Sequence, residues 1–530
     1  MTRAASIALA FALLACSPAQ NTPQTGSQTN WLLACDSSED CGALECLCGV
    51  CTASCENEVA CSELAGASCS APRSEASLAL CGAHPSESGL CLPTPAVRVE
   101  IDATMRHQAL VGFGASLGYA DDVIAAHPDE AALYDLLFRD AGLDALRLRN
   151  RYESAGEPSL QATRAIVEAA TARLGRTPFL FMTSSTPPAA LKENESRTCA
   201  GDAQTCTLAS VAGGGFDYTA FARYWRESLA AYASAGVVPD YVSIQNNPNW
   251  VPPEEAPNEG CRFLPEEGTE TLMIDGAPVA VPYPGYSEAL AAVRAAIGDM
   301  ASVPRFAAPE VSSVSAIAAY TTALGATPAD AFALHMYGQD ADAVDVASLE
   351  TARDLAEQLA RPVFQTEMQA EGLETAVLMH HVLTAAGASV YLQNDLVALT
   401  RATASVSLVL LTTTGLEPQG PFYALMHFAK HTDPGWARID ASSDDAALLS
   451  SAWLSPDEGA LTVVLVNSGA EARDAEVVVP DVLRAQLVRT EVTRTVFDSV
   501  ERAAELGALS VDGVVRVPGR SIATVAFSAE

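Results

Sequence analysis

Two polar runs in the sequence each follow a short apolar segment and carry side chains that could do chemistry. They read Ser243-Ile244-Gln245-Asn246-Asn247-Pro248-Asn249-Trp250 and Phe364-Gln365-Thr366-Glu367-Met368. A carboxylate placed like that of Glu367 can attack an electrophilic carbon or exchange a proton. Each run also has a purely structural interpretation, since Gln245 to Pro248 can turn the chain and Glu367 can cap a helix. Taken alone, the two runs do not define a function.

The segments that would position these runs alternate between short apolar strands and Ala-rich helices. The predicted strands are Leu110 to Gly114, Ala145 to Leu148, Pro178 to Met182, Tyr241 to Ile244, Phe306 to Ala308, Phe332 to His335, Val363 to Gln365 and Ser389 to Leu392. The helical stretches are Ala131 to Gly142, Leu160 to Leu174, Tyr218 to Gly236, Tyr286 to Met300 and Leu349 to Leu359. This alternation predicts an α/β fold, a (β/α)8 TIM barrel over residues 94–433, with catalytic residues at the carboxyl ends of its strands. A dinucleotide-binding sheet is disfavoured, because Gly112-Phe113-Gly114 lacks that motif's third glycine and following acidic residue.

After residue 434 the helical pattern stops and strand-like runs separated by polar turns follow. These runs are Ala460 to Asn467, Glu476 to Val479, Leu487 to Val492 and Ser521 to Phe527. They predict a C-terminal β-sandwich over residues 434–530. Val97 to Ile101 alternates in the same way just before the barrel, so we expect it to pair into the sandwich.

The chain has 14 cysteines, most of them in a short N-terminal module at residues 35–93. Ten lie there: Cys35, Cys41, Cys46, Cys48, Cys51, Cys55, Cys61, Cys69, Cys81 and Cys91. Behind an export signal this density predicts a disulfide framework for a stalk, spacer or binding module. A zinc site at Cys48-x-x-Cys51 is the weaker alternative. In the barrel region, Cys199 and Cys206 are expected to bridge a loop, leaving Cys261 unpaired. The alternative is that Cys261 pairs with either of them and tethers the loop that contains Glu254 and Glu255.

The N-terminus has the features of a secretory signal. Arg3 is followed by the apolar run Ala5 to Ala15 and by Cys16. Residues 1–16 resemble a bacterial lipoprotein signal peptide, which implies cleavage before a lipidated Cys16, and residues 17–34 are expected to form a flexible tether. An ordinary signal peptide with an incidental cysteine is the alternative. The protein is therefore expected to be exported and anchored by its lipid to the outer membrane or cell surface.

The charge balance excludes one large class of function. With 65 acidic and 30 basic residues the net charge is −35, and only two of the basic residues are lysines. No basic run exists that could neutralise a series of phosphates, so no nucleic-acid partner is expected. No metal site or cofactor is expected either, since the adjacent His380 and His381 point to different faces of a helix.

Eight short motifs in order resemble glycoside hydrolase family 30, whose members include glucosylceramidases and xylanases in a clan of retaining (β/α)8 glycosidases. The motifs are Val111 to Ser116, Leu146 to Leu148, Thr183 to Pro188, Gln245 to Pro248, His335 to Tyr337, Thr366-Glu367, Phe428 to Lys430 and Pro434 to Ile439. The resemblance covers about residues 97 to 530. It implies hydrolysis of the O-glycosidic bonds of a β-linked glycan through two carboxylates about 5 to 5.5 Å apart.

The resemblance assigns one of the two carboxylates and leaves the other vacant. Glu367 matches the family's nucleophile. Asn247 stands where the family has its acid/base glutamate, and an amide has no proton of useful acidity near neutral pH. The residues matched to sugar binding are better kept: Asn246 corresponds to the asparagine that bonds the sugar 2-hydroxyl and the nucleophile, and Arg147 to an arginine that orients Glu367. His335 and Tyr337 match positions at the sugar ring edge.

Trp250 offers an aromatic face for stacking against a sugar, or it is a core residue. Its position in the polar run after the fourth predicted strand places it with the candidate sugar-binding side chains.

Three interpretations of the altered site remain open. A glutamate of the following loop, Glu254, Glu255 or Glu259, replaces the missing acid; or Glu367 alone suffices for good leaving groups or transfer; or the barrel is a catalytically inactive cell-surface glycan-binding pseudoenzyme. A more remote possibility is a scaffold protein whose function lies in the cysteine module. The carbohydrate itself is not identified by the sequence.

Overall fold

The computed structural model describes residues 31–529 except 57, 62–63, 65–66, 71–80, 82–87, 94–96, 154–159, 275, 326–328 and 510–512. The chain divides into two compact units, Met1–Pro95 and Ala96–Glu530. The expected signal peptide, Cys16 and most of the expected tether lie outside the described residues. None of the helices in the described part combines the length and the hydrophobicity that a membrane span requires.

The N-terminal unit is held by five disulfides, which confirms the predicted framework. The bridges are Cys35–Cys46, Cys41–Cys51, Cys48–Cys81, Cys55–Cys69 and Cys61–Cys91. Both cysteines of the proposed zinc motif are thus oxidised and carry no thiolate for a metal. The strands of this unit are Glu45–Leu47, Val50–Thr52, Ser54–Cys55, Ala67–Ser70 and Gly89–Pro93. Its apolar core is small, so cross-links replace burial as the source of stability.

The second unit contains the predicted barrel of eight parallel strands. They are β1 (Gly112–Ser116), β2 (Ala145–Arg149), β3 (Phe179–Thr183), β4 (Tyr241–Ser243), β5 (Arg305–Phe306), β6 (Phe332–His335), β7 (Val363–Glu367) and β8 (Ala388–Gln393). Bridges from Ala307 to Ala331 and from Val311 to Leu334 join β5 to β6 and close the ring. β1 begins two residues later than predicted, because the N–H of Leu110 donates to Trp436 and that of Val111 to Ser389.

Helices follow most barrel strands and cover the ring. They are Asp121–Ala125, Glu130–Tyr134, Leu160–Leu174, Tyr218–Ser234, Tyr286–Ile297, Ile317–Leu324, Val346–Gln358, Gly372–Thr384 and Gly420–Ala429. Asp217 and Asp345 begin two of them by accepting the N–H groups of Ala220 and Ser348. The stretch predicted as one helix over Ala131 to Gly142 instead changes to a π-helix at Asp135–Asp140, whose wider turn buries Leu137 and Phe138.

The remaining domain is mostly β, as predicted. Its nine strands are Val97–Ala109, Ala437–Ser443, Leu448–Leu454, Ala460–Asn467, Arg473–Val478, Arg489–Val496, Ala504–Gly507, Val514–Val517 and Ser521–Ser528, with one short helix at Asp481–Arg484. Val97–Ala109 pairs with Ala437–Ser443 and with Arg473–Val478. Val515 and Val517 of the end strand share a core with Leu461, Val463 and Val525 of the central strands, so the sheet folds over on itself.

Shorter strands decorate the barrel. Thr198–Cys199 pairs with Asn258–Glu259, Gly268–Ile274 forms a hairpin with Ala277–Tyr283, and Val409–Thr412 pairs with Val397–Ala398 and Gly415–Pro418. The barrel and the β domain share buried contacts. The rings of Phe113 and Trp453 meet edge to face at 6.2 Å, and His427 hydrogen-bonds the hydroxyls of Thr495 and Thr524. The contact between Phe113 and Trp453 thereby holds the start of β1 against the β domain.

Candidate active site

A cavity of about 480 Å³ opens at the carboxyl ends of the barrel strands. Its lining combines all the matched residues except His335 with others in or just after β1, β2 and β8. The lining residues include Gly118, Tyr119, Arg147, Arg149, Asn246, Asn247, Trp250, Glu259, Tyr337, Glu367, Asn394 and Asp395. A cavity of this size accommodates a sugar residue, and its walls are rich in hydrogen-bonding groups.

Glu367 ends β7 and is 8% exposed, with both carboxylate oxygens bonded. Its Oε2 accepts from Arg147 Nη1 at 2.8 Å and from Asn246 Nδ2 at 3.4 Å, and its Oε1 accepts from the Tyr337 hydroxyl at 2.8 Å. Burial by itself raises the pKa of Glu367, but the positive charge of Arg147 outweighs it and the net pKa is lowered. Glu367 is therefore an ionised, oriented carboxylate at the cavity wall.

Arg147 also binds a second carboxylate, that of Glu310, which the sequence analysis missed. Its Nη2 donates to Asn246 Oδ1 at 2.8 Å and to Glu310 Oε1 at 3.0 Å. Glu310 is fully buried, also accepts from the Thr183 hydroxyl, and does not line the cavity. Against the raising effect of burial, Arg147 lowers the pKa of Glu310, so Glu310 is an anion that fixes Arg147 from behind. The only sequence signal for Glu310 was its place two residues after the fifth apolar run.

The ring-edge candidates after β6 separate in the structure. Tyr337 lines the cavity, and burial followed by the charge of Glu367 raises its pKa, so the hydroxyl remains a donor. His335 is completely buried, lies 3.7 Å from Glu310, and does not reach the cavity wall. Trp250 is half-buried and lines the cavity, which leaves part of its ring accessible to a ligand.

Asn247, which the sequence analysis matched to the family's acid/base position, has a left-handed backbone conformation, with φ of 47°. Its N–H donates to the carbonyl of Glu310 at 3.1 Å, and its own carbonyl accepts from Trp250 at 3.0 Å. Asparagine tolerates this backbone region better than most residues. The side-chain Oδ1 is buried, and no hydrogen-bond partner for it exists within the described part of the chain. Asn247 thus adopts a turn conformation, and its amide has no proton of useful acidity near neutral pH.

The loop glutamates do not converge on the cavity in the same way. Glu254 and Glu255 are exposed and are absent from the cavity wall. Glu259 does line it, but its two oxygens bind Arg149 at 3.1 Å and Arg197 at 3.0 Å. Burial raises the pKa of Glu259, but Arg149 and Arg197 lower it by more. The net pKa is therefore lowered, and the carboxylate stays ionised.

Arg149 and Tyr119 form a plate beside Glu259. The Arg149 Cζ lies 3.3 Å from the centre of the Tyr119 ring, and Tyr119 is partly exposed. Cys199 and Cys206 form the predicted bridge, and Cys261 is buried and unbridged. The bridge lies in the segment that pairs with Asn258–Glu259, so it helps to hold the loop containing Glu259.

Asp395 is a second carboxylate that the sequence analysis missed, and unlike Glu310 it lines the cavity. It lies two residues beyond the end of β8, in the run Gln393-Asn394-Asp395. A polar run at the end of a barrel strand was the same signal that drew attention to β4 and β7.

Comparison with known proteins identifies the fold. No protein-family model and no curated protein sequence matches the chain. Among solved structures, the catalytic domain of a family 30 xylanase C from Talaromyces cellulolyticus superposes with a TM-score of 0.62 at 17% identity, covering 82% of this chain and 100% of the xylanase. This chain has a fold like that of glycoside hydrolase family 30.

Two further structures have the same architecture. A conserved exported protein from Bacteroides fragilis gives a TM-score of 0.62 at 16% identity, with 81% of this chain and 99% of that one covered. An endo-β-1,6-glucanase gives 0.57 at 13% identity, with 82% and 94% covered. The covered share of this chain corresponds to the length of the unit Ala96–Glu530.

Proposed function

We propose that the barrel is a retaining glycosidase in which Glu367 attacks the anomeric carbon of a β-linked glycan. The observation that carries the proposal is the state of Glu367: it is ionised, faces a cavity of sugar size, and is held at both oxygens by Arg147, Asn246 and Tyr337. A nucleophile must be ionised and fixed in direction before it can form a glycosyl ester. Glu310 supports the same role by fixing Arg147.

The substrate is proposed only as a class. Enzymes with this fold include a xylanase and an endo-β-1,6-glucanase, which cut different sugars and linkages. The cavity wall of this chain carries Arg147 and Arg149 against Glu259, Glu367 and Asp395. Its carboxylates thus outnumber its cations, and with the net charge of −35 this favours a neutral glycan over a polyanionic one. Carbohydrate is the only partner that we propose for the barrel.

A glycan-binding pseudoenzyme is the second candidate, and Asn247 is the observation that favours it. General acid catalysis contributes roughly 10²–10⁴-fold, and an amide at this position cannot supply it. In that case Glu367, Arg147, Asn246, Tyr337 and Trp250 would bind sugar without cleaving it.

For location we propose export, with the lipid on Cys16 as the only membrane attachment. The six disulfides of the described residues support an oxidising compartment. The anchor itself rests on the sequence pattern around Cys16. Labelling cells with a radioactive fatty acid should mark wild type and leave Cys16→Ser unlabelled.

Dinitrophenyl β-glycosides test the proposed reaction directly, because this leaving group departs without protonation. We expect the oxidised wild-type protein to release dinitrophenol from at least one of the glucoside, xyloside, galactoside and fucoside, and Glu367→Gln to lose this activity by several orders of magnitude. A 2-fluoro analogue of the same sugar should add its mass to the peptide containing Glu367. If wild type binds glycans but releases no dinitrophenol and traps no fluoro sugar, the pseudoenzyme is the correct candidate.

A further inference from the structure

Among the described residues, three carboxylates line the cavity, and they differ in what surrounds them. Glu367 is bonded by Arg147, Asn246 and Tyr337, and Glu259 by Arg149 and Arg197. The Asp395 carboxyl, in contrast, has no hydrogen bond or ion pair with any residue in the described ranges, and Arg147 and Arg149 act on it only from a longer distance. A carboxyl without cationic partners can take up a proton at little cost, whereas the other two cannot.

The strand order of the barrel places Asp395 near the proposed nucleophile, Glu367. β8 lies between β7 and β1, so the end of β8 adjoins the end of the strand that carries Glu367. The link is direct, because the N–H of Asn394 donates to the carbonyl of Met368 at 2.9 Å. Asp395 therefore follows a residue that is bonded to the neighbour of Glu367.

The loop after β1 leaves room for this carboxyl. A Cβ at Gly118 would lie 2.9 Å from Asp395 Oδ1 and 3.2 Å from its Cγ, closer than ordinary contact. Gly118 also has a φ of +57°, a conformation that favours glycine. The Asp395 side chain is thus seated against a position without a side chain, at the cavity wall.

We propose that Asp395 is the catalytic acid and base of this barrel, in place of the missing glutamate at position 247; this rests on the glycosidase function proposed above. In the first step Glu367 bonds to the anomeric carbon while Asp395 gives its proton to the glycosidic oxygen, and the aglycone leaves as an alcohol. In the second step the Asp395 carboxylate takes a proton from water as the water oxygen bonds to the anomeric carbon. The ester bond breaks, and both carboxyls return to their starting states.

The electrostatics support this division of roles. Burial, followed by the charge of Glu367, raises the pKa of Asp395 to about 6, against the opposing effects of Arg147 and Arg149. The pKa of Glu367 is lowered. The two groups are therefore moved apart in the direction that a nucleophile and an acid/base require. Other acidic candidates fail on placement or pairing, since Glu254 and Glu255 are exposed outside the cavity and Glu259 is ion-paired.

The test compares two leaving groups on one sugar. The kcat/KM of wild type, Asp395→Asn and the exposed control Asp342→Asn is measured on the dinitrophenyl and the phenyl β-glycoside of whichever sugar wild type accepts. We expect Asp395→Asn to lose roughly 10²–10⁴-fold on the phenyl glycoside and less than about threefold on the dinitrophenyl glycoside. Added azide, which needs no base, should accelerate turnover of Asp395→Asn and yield a β-glycosyl azide.

The wild-type pH profile is a second measurement that needs no variant. Asp395 must be protonated for the first step, so kcat/KM on the phenyl glycoside should fall as the pH rises through about 6, and that on the dinitrophenyl glycoside should not. Glu367, Arg147 and Arg149 are the charged groups that set this value, and all three keep their charge in that range.

Several results would overturn the inference. Equal losses of Asp395→Asn on both glycosides would make Asp395 a sugar-binding residue, and no loss would make it a bystander. Wild type that cleaves only the dinitrophenyl glycoside, with Asn247→Glu gaining the phenyl glycoside, would show that no acid exists. In these cases the proposed nucleophile stands. Wild type that cleaves neither substrate and traps no fluoro sugar would end both proposals.

Discussion

The ends of β7 and β4 face the same cavity, yet the chain treats their polar groups differently. Every oxygen of Glu367 at the end of β7 is bonded by a donor, and a buried anion, Glu310, fixes the arginine behind it. After β4, the Oδ1 of Asn247 is buried without a partner among the described residues, on a backbone in the left-handed region. The end of β7, which carries the proposed nucleophile, is thus complete in itself. The end of β4, which we call the acid side because Asn247 matches the family's acid position, is not. A site in simple decay would show damage on both sides.

The largest effect is expected from replacing Arg147, which pairs with both Glu310 and Glu367. Arg147→Met leaves Glu310 and Glu367 buried close together without their shared cation. The free energy of unfolding, measured in denaturant, should therefore fall by about 3–5 kcal/mol. The proposed glycosidase activity should fall sharply at neutral pH, because the largest effect that opposes burial in setting the pKa of Glu367 is removed. A stability within about 1 kcal/mol of wild type would contradict the view that Arg147 holds the two carboxylates.

A smaller effect is expected when the bond from Tyr337 to Glu367 is removed. Tyr337→Phe deletes a donor that stabilises the ionised carboxylate, and a hydrogen bond to a charged group is worth about 1.5–3 kcal/mol. The pKa of Glu367 should rise, so the acid limb of the kcat/KM profile on a dinitrophenyl glycoside should move up by about one pH unit.

Tyr320→Phe is the matched control for Tyr337→Phe. The Tyr320 hydroxyl donates to the carbonyl of Phe263 away from the cavity. The control should lose stability and keep the acid limb of wild type. An unchanged limb in Tyr337→Phe would mean that Arg147 and Asn246 alone set the state of Glu367.

The sequence predicted some strands and helices of the fold accurately and missed others. β6 and the helix Leu160–Leu174 lie where the apolar patterns placed them, because each apolar run is flanked by polar turns. The strands Ala437–Ser443 and Leu448–Leu454 were missed, since polar residues such as Ser450 and Ser451 are buried in them and hide the alternation.

The site was predicted where a single strand end carried the signal. Glu367 and Asn247 were found in this way, and the structure brings both to one cavity. Glu310 was missed because β5 is only Arg305–Phe306, and because its role depends on an arginine 163 residues away in sequence. Asp395 was missed although its strand end carried the same kind of signal, since a lone polar run does not reveal which carboxyls lack partners.

The acid side can be tested through its backbone, with a still smaller effect. Asn247→Ala places a residue without a local hydrogen-bonding side chain at a φ of 47°, which should cost about 1 kcal/mol in unfolding free energy. Asn247→Gly removes the steric cost of this conformation. Its unfolding free energy should therefore lie within about 0.5 kcal/mol of the wild-type value. If the alanine variant were the more stable of the two, asparagine would not be there for the turn.

The smallest effect is expected from the exposed loop glutamates, and it sharpens the comparison most. The double variant Glu254→Gln/Glu255→Gln removes two carboxylates that are near Asn247 in sequence but stand outside the cavity wall. Its kcat/KM on a phenyl glycoside should stay within about twofold of wild type, since a general acid must lie within hydrogen-bond reach of the leaving oxygen. A loss of 10²-fold or more with the dinitrophenyl glycoside unaffected would place the acid on this loop, make the acid side complete after loop movement, and exclude Asp395 from that role.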